Sequence, residues 1–132
     1  MKEITNKAKS NQNICFDFDG VINSYKSGWQ GATIISDPPV EGVKEAIDEF
    51  KKAGYNIVIC SSRAKTIGGK QAIVEYLKKY HIYYDRVDSD KPPAIAYIDD
   101  RAIQFNGNVN DLVDDFNSFK PWYQKTDGDK ND

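Results

Sequence analysis

With 132 residues, 39% of them hydrophobic and 29% charged, the chain is long enough to bury an ordinary domain core and too apolar for a disordered class. Its 18 Lys and Arg against 20 Asp and Glu give a formal net charge of −2, which excludes a strong global field for nucleic acid or an anionic membrane surface. No run approaches membrane-spanning length and the polar start lacks the apolar stretch of a signal peptide, so a cytoplasmic location is the expectation.

In chain order, residues 1–12 are polar and are expected to form a flexible segment ahead of a single domain over residues 13–123. Residues 14–18 (ICFDF) read as a buried strand, since an unbroken apolar run suits a strand covered on both faces. An irregular flap follows at 21–38. Pro38 and Pro39 then precede a helix with Val43, Ile47 and Phe50 on one face, and Gly54 is placed to stop it. Residues 55–60 (YNIVIC) read as the second strand, followed by an amphipathic helix carrying Ile73, Val74, Leu77 and Tyr80. A weaker strand candidate lies at 83–87 and a further buried strand at 94–98 (AIAYI). A last helix is expected to begin near Asn110 or Asp111 and to bury Leu112, Val113 and Phe116. Phe119, Pro121, Trp122 and Tyr123 are expected to dock the chain end, ahead of a flexible tail at 124–132. Cys15 and Cys60 lie inside apolar runs without the paired spacing of a metal knuckle and read as buried, reduced thiols.

Strands separated by helices imply an α/β fold, a doubly wound, mostly parallel, Rossmann-like sheet with helices on both faces. In such sheets ligands bind beyond the carboxyl ends of the strands. The first strand runs into Asp17-Phe18-Asp19-Gly20-Val21, the second into Ser61-Ser62-Arg63, and the last into Asp99-Asp100-Arg101, with Lys91 shortly upstream. One Asp-x-Asp pair alone is an ordinary turn or helix cap. Asp17, however, lies in an apolar run, and a second acidic pair at the same sheet edge adds repulsion that calls for a cation. Magnesium suits such a cluster, being a hard ion held by one or two carboxylates, water and phosphate oxygens.

At these residues the chain resembles the haloacid dehalogenase-like (HAD) phosphohydrolase superfamily, whose four motifs occur in order. The resemblance runs over residues 14–105 and is most specific at FDFDGVI and YIDDRAI. It implies a nucleophilic Asp17 that forms an aspartyl-phosphate and an Asp19 that serves as general acid and then base. It further implies that Ser61 and Lys91 bind the phosphoryl group, and that Mg2+ is held by Asp17, the backbone carbonyl of Asp19, Asp99 and Asp100, with Asp99 the preferred direct ligand. Lys91 stands eight positions before Asp99, whereas many relatives place a helix between the two; Lys65 and Lys70 are the alternatives. Larger relatives insert a cap domain, for which this chain has no room, so the site is expected to be open and shaped by the flap or by a second subunit in a homo-oligomer.

Candidate substrate-binding residues are Ser62, Arg63, Arg101, Tyr25 and Trp29, the aromatic pair suited either to stacking on a base or sugar or to pinning the flap. The expected substrate is a phosphorylated small molecule, such as a sugar or nucleotide phosphate, or a phosphorylated nucleic-acid end, without strong nucleic-acid or membrane binding. The alternative is a catalytically silent binding or regulatory protein on the same fold.

Overall fold

In the computed structural model, which describes residues 2–124, the first apolar run forms β1, Asn13–Asp17, at the centre of a four-stranded, all-parallel sheet. β2, Asn56–Cys60, pairs with it in register from Asn13 opposite Asn56 to Asp17 opposite Cys60. β3, Arg86–Asp88, lies outside β2, and β4, Ala96–Ile98, returns to the other side of β1, giving the order β3-β2-β1-β4. The chain therefore reverses its winding between β1 and β4, and that switch opens the crevice in which α/β sheets bind ligands.

Two crossover helices, α1 (Val43–Lys52) and α2 (Ile67–Lys79), cover one face. Ile14, Phe16, Ile57 and Ile59 from the strands meet Ile47, Ile73, Tyr76 and Leu77 there, with Phe50 edge-on to Phe16 at 5.5 Å. Each such fully buried side chain contributes roughly 1.5–3 kcal/mol. The opposite face presents Cys15, Val58 and Cys60, covered by Ala94 and the extended segment that returns the chain to β4. The two thiols donate to the carbonyls of Pro92 and Asp90 on that segment, each at 3.8 Å. Both cysteines are free and buried, and burial pushes the Cys60 thiol up to about 12, the environment of an inert thiol rather than a redox centre. The fold is thus the all-parallel, Rossmann-like α/β class with no cap domain inserted among the described residues, but both crossover helices pack on one face, and the segment before β4 takes the place of the helical layer expected on the other.

Three sequence expectations shift. The strand expected at 83–87 starts at Arg86, because Asp85 caps the incoming chain: its carboxylate accepts from the Ile57 N–H at 2.7 Å. The final strand contracts from 94–98 to Ala96–Ile98, since the backbone before it is committed to bridging the Cys15 face. The last helix, α3 (Val109–Ser118), forms with Asn108 as its cap, but Leu112, Val113 and Phe116 are exposed rather than buried. Amphipathic spacing specifies a helix and a face, not a partner; here a loop over residues 101–108 carries α3 away from the sheet.

Among the described residues ahead of β1 there is no regular element, yet Ile4 and Ala8 pack against the core and the Asn6 carbonyl accepts from the Tyr55 hydroxyl at 2.5 Å. Apart from Gln124, the expected C-terminal tail lies outside the described residues. No described helix is long and apolar enough to cross a membrane.

Candidate active site

The chain turns immediately after Asp17. The Phe18 carbonyl accepts from the N–H groups of Ile22 and Asn23 at 2.9 Å each, and Gly20 makes the loop feasible with φ of 85°. A side chain there would also have no room: a Cβ on Gly20 would stand 2.4 Å from Asp100 Oδ2 and 2.8 Å from the Tyr123 ring. The loop after β1 therefore packs directly on the end of β4 and on the C-terminal segment.

Because β1, β2 and β4 are parallel neighbours, their carboxyl ends converge on one cleft of about 270 Å³. Asp17, Asp19, Ser61 and Asp100 line it, together with Tyr25, Trp29, Ser62, Arg101 and Tyr123. One oxygen from each of Asp17, Asp99 and Asp100 lies within 4.8 Å of the others. Asp100 Oδ1 is buried with no hydrogen-bond partner among the described residues. Burial, then the neighbouring carboxylates of Asp100 and Asp99, push Asp17 up to about 8. Three hard oxygens this close, beside the buried and unpaired Asp100 Oδ1, form a group that can hold a metal ion.

Lys91 reaches this cluster through an ion pair with Asp99. That hydrogen bond holds the Lys91 ammonium above its ordinary value against the opposing effect of burial, with the Asp99 and Asp17 charges adding to it. Lys65 and Lys70, the alternatives, are exposed residues of the segment after β2. Burial alone would raise Asp99, but the Lys91 hydrogen bond and the Arg101 amide at 2.8 Å outweigh it and hold the carboxyl below the usual range. Both Asp99 oxygens are thereby engaged, whereas Asp100 Oδ1 has no hydrogen-bond partner among the described residues.

The Asp19 carboxylate stands outside the three-oxygen group. Its Oδ1 accepts from Asn23 Nδ2 and its Oδ2 from Arg63 Nε, both at 2.9 Å. Arg63, expected to face substrate, is 1% exposed and wholly committed to the protein. Its Nη1 donates to the carbonyls of Gly31, Ala32 and Ile34 at 2.7, 3.0 and 3.2 Å, and the Trp29 ring lies over the guanidinium at 4.6 Å. Ser61 Oγ accepts from the Arg63 N–H at 3.1 Å and starts a short 3₁₀ helix, Ser62–Lys65, from which the flap carbonyls hold the side chain under the flap. The substrate-facing cation after β2 is thus corrected to a structural one.

The same turn explains Gly69. A Cβ there would lie 2.0 Å from the Arg63 carbonyl oxygen, a backbone atom that cannot move without displacing the guanidinium. Gly69→Ala is expected to cost about 1–3 kcal/mol, read as a lowered melting temperature.

The flap base is tied down as well: Ser24 Oγ donates to the Pro38 carbonyl at 2.6 Å, and Asp37 accepts from Ser27 N–H and Oγ at 2.8 and 2.7 Å. Tyr25 and Trp29 both reach the cleft, Trp29 remaining 55% exposed. Two further residues complete the site. Asn23, 2% exposed, donates to Asp19 and accepts the Tyr25 N–H at 3.1 Å. Tyr123 donates to Asp100 Oδ2 at 2.7 Å, while Trp122 Nε1 donates to the Gly20 carbonyl at 2.6 Å. Neither carries a local signal: Asn23 sits in an aperiodic loop, and Tyr123 is about a hundred positions from its partners in the first loop.

No protein-family model matches the chain, and no curated protein does. Among solved structures, one chain in the structure of the Pnkp1/Rnl/Hen1 complex superposes with a TM-score of 0.52 at 18% identity, over 80% of this chain. This chain spans only 33% of that one. An MCSG target from Vibrio cholerae aligns with a TM-score of 0.47 at 24% identity, over 83% of this chain and 99% of that one. Likeness at this level concerns architecture: the chain shares an α/β fold with part of a chain in the Pnkp1/Rnl/Hen1 complex.

Proposed function

We propose that the chain is a magnesium-dependent phosphomonoester hydrolase of the HAD type, acting through an aspartyl-phosphate on Asp17. The observation that carries this reading is the meeting of one oxygen each from Asp17, Asp99 and Asp100 within 4.8 Å, with Asp100 Oδ1 buried and without a hydrogen-bond partner among the described residues and Lys91 paired to Asp99. A solvated acidic patch would leave no carboxylate oxygen both desolvated and unbonded.

Asp17 attacks phosphorus in line with the ester oxygen; the phosphorus–oxygen ester bond breaks as the acyl-phosphate bond forms. Asp19, whose oxygens accept from Asn23 and Arg63 at the cleft wall, would act as the acid by taking up a proton on an oxygen released from one of these donors and giving it to the departing oxygen. A water then attacks the same phosphorus, Asp19 takes the proton, and inorganic phosphate leaves as the Asp17 carboxylate is restored. Ser61 and Lys91 bind the phosphoryl oxygens. Asp17, Asp100 and Asp99, with the Asp19 carbonyl, would hold magnesium, which would supply the positive charge that lets an anionic nucleophile approach an anionic ester.

One observation favours the silent alternative, since both Asp19 oxygens are engaged by protein donors. The assay that separates the two readings is magnesium-dependent phosphate release from a generic aryl phosphate, a metabolite panel, and 3′- and 5′-phosphorylated oligonucleotides. Release that needs magnesium supports hydrolysis; none from any ester, with phosphate or its analogues still bound, supports the silent protein.

The acidic cluster also sets a pH dependence. Asp17 titrates near 8 in the folded chain and near 4 unfolded, so the folded state holds a proton that the unfolded state has lost between those values. Metal-free stability should therefore fall as pH rises from about 5 to 8, at no more than ~1.4 kcal/mol per pH unit. The melting temperature in EDTA should drop by roughly 10 °C over that range, and millimolar magnesium should remove most of the drop. A flat profile without metal would contradict this picture of the cluster.

A further inference from the structure

Beyond Asp17, Asp19, Ser61 and Asp100, the described residues that line the cleft are three aromatic rings, Tyr25, Trp29 and Tyr123, with Ser62 and Arg101. We infer that these rings recognise the alcohol side of the ester, and that the ligand class is a phosphorylated nucleoside, whose flat base a ring surface holds, rather than an aliphatic or sugar phosphate. The inference rests on the phosphohydrolase reading and names its substrate class.

Each ring is fixed before any ligand arrives. Trp29 lies with its ring over the Arg63 guanidinium at 4.6 Å, and Arg63 is in turn pinned by Asp19 and three flap carbonyls. Even so, 55% of Trp29 faces solvent at the cleft. Packing the flap accounts for the covered part of the indole and not for the open part. Tyr25 takes a left-handed backbone conformation, φ 60°, that non-glycine residues rarely adopt. Asn23 holds it there through the Tyr25 N–H while donating to Asp19, so the proposed acid/base group and the ring share one support. Tyr123 stands edge-on to Tyr25, with centroids 5.5 Å apart and planes at 85°. Its hydroxyl is already engaged, donating to Asp100 and accepting from Arg101 Nε at 3.3 Å.

Sugar rings also pack on aromatic surfaces, but specific sugar recognition needs acceptors and donors for the hydroxyls. The Tyr123 hydroxyl and both Asp19 oxygens are occupied and Ser61 is assigned to the phosphoryl group, which leaves Ser62, the Tyr25 hydroxyl and the Arg101 guanidinium among the described lining, a set poor in acceptors for sugar hydroxyls. A nucleobase asks less, because every base offers a π-face and stacking tolerates its identity. Arg101, whose side chain is 62% exposed, borders the rings and suits the next phosphate of a strand end.

The test compares kcat/KM in magnesium for nucleoside 3′- and 5′-monophosphates, short oligonucleotides with the corresponding terminal phosphate, glycerol phosphate and a hexose phosphate. Phosphorylated nucleosides should be preferred over both aliphatic esters by about tenfold or more, and Trp29→Ala should reduce that preference by roughly tenfold, the loss of one stacking contact. A higher value for oligonucleotides than for free nucleotides assigns the strand end as source; equal values assign the mononucleotide. Turnover of glycerol or hexose phosphate at or above the nucleotide rate overturns the inference while leaving the hydrolase reading intact. If no ester is turned over, that reading fails, and the inference is decided by titrating Asp17→Asn with nucleoside monophosphate and following tryptophan fluorescence. Saturable binding weakened in Asp17→Asn/Trp29→Ala upholds it, and its absence overturns it.

Discussion

Under the proposed mechanism, Asp17→Asn should abolish phosphate release, lowering kcat by at least about a thousandfold, the expected cost of removing a covalent nucleophile. The amide keeps the shape of the carboxylate and loses only its charge, so the β1 terminus and its pairing with Cys60 should be retained. Stability should move the other way. The wild type gathers three acidic groups within 4.8 Å, and burial with the neighbouring carboxylates already raises Asp17 to about 8. A neutral residue there relieves that conflict, so the variant should melt higher than the wild type in EDTA at pH 8, and the two should converge in acid. Loss of activity with a gain in metal-free stability is the mark of a site in which charge has been crowded for function. An Asp17 that served only to pair within the fold would lose stability on the same change.

Arg63→Ala is expected to have the largest effect on stability. Its side chain and that of Asp19 are 1% and 19% exposed, and deleting one partner of such a pair costs about 3–5 kcal/mol because the other charge is left uncompensated. Three flap carbonyls lose their donor in the same step. A fall in melting temperature of roughly 10–20 °C is expected, and trypsin should cut at Lys26 once the flap is released. Arg63→Lys should recover part of the stability and little of the flap protection, because one ammonium cannot span Asp19 and three carbonyls as a guanidinium does. A protected flap in Arg63→Ala would show that the base contacts of Asp37 and Ser24 hold it unaided.

What could be read from the sequence follows physical range. Apolar runs at 14–18 and 55–60 mark strands because a parallel strand buried on both faces has little freedom in composition, and the residues just beyond them mark the cleft. Asp17, Asp100 and Ser61 accordingly sit at one edge, and Lys91 reaches the acids although no helix separates it from Asp99. The expectation that Arg63 faces substrate fails because its position two residues after Ser61 says nothing about direction. Whether a side chain points to solvent or under a flap depends on carbonyls some thirty positions earlier. Tyr123 was read only as a docking residue, since its place against Asp100 and Tyr25 exists only after the chain has folded. For α3, periodicity specified the helix, but the sheet offered Leu112, Val113 and Phe116 no surface.

The most direct measurement is of the covalent state of Asp17. Wild-type protein mixed with a turned-over phosphate ester and magnesium, acid-quenched within the first turnover and digested, should yield the peptide containing Asp17 heavier by one phosphoryl group. That adduct should disappear in EDTA and in Asp17→Asn. Phosphate release at full rate from Asp17→Asn, or a phosphoryl group found on another residue, would contradict the account.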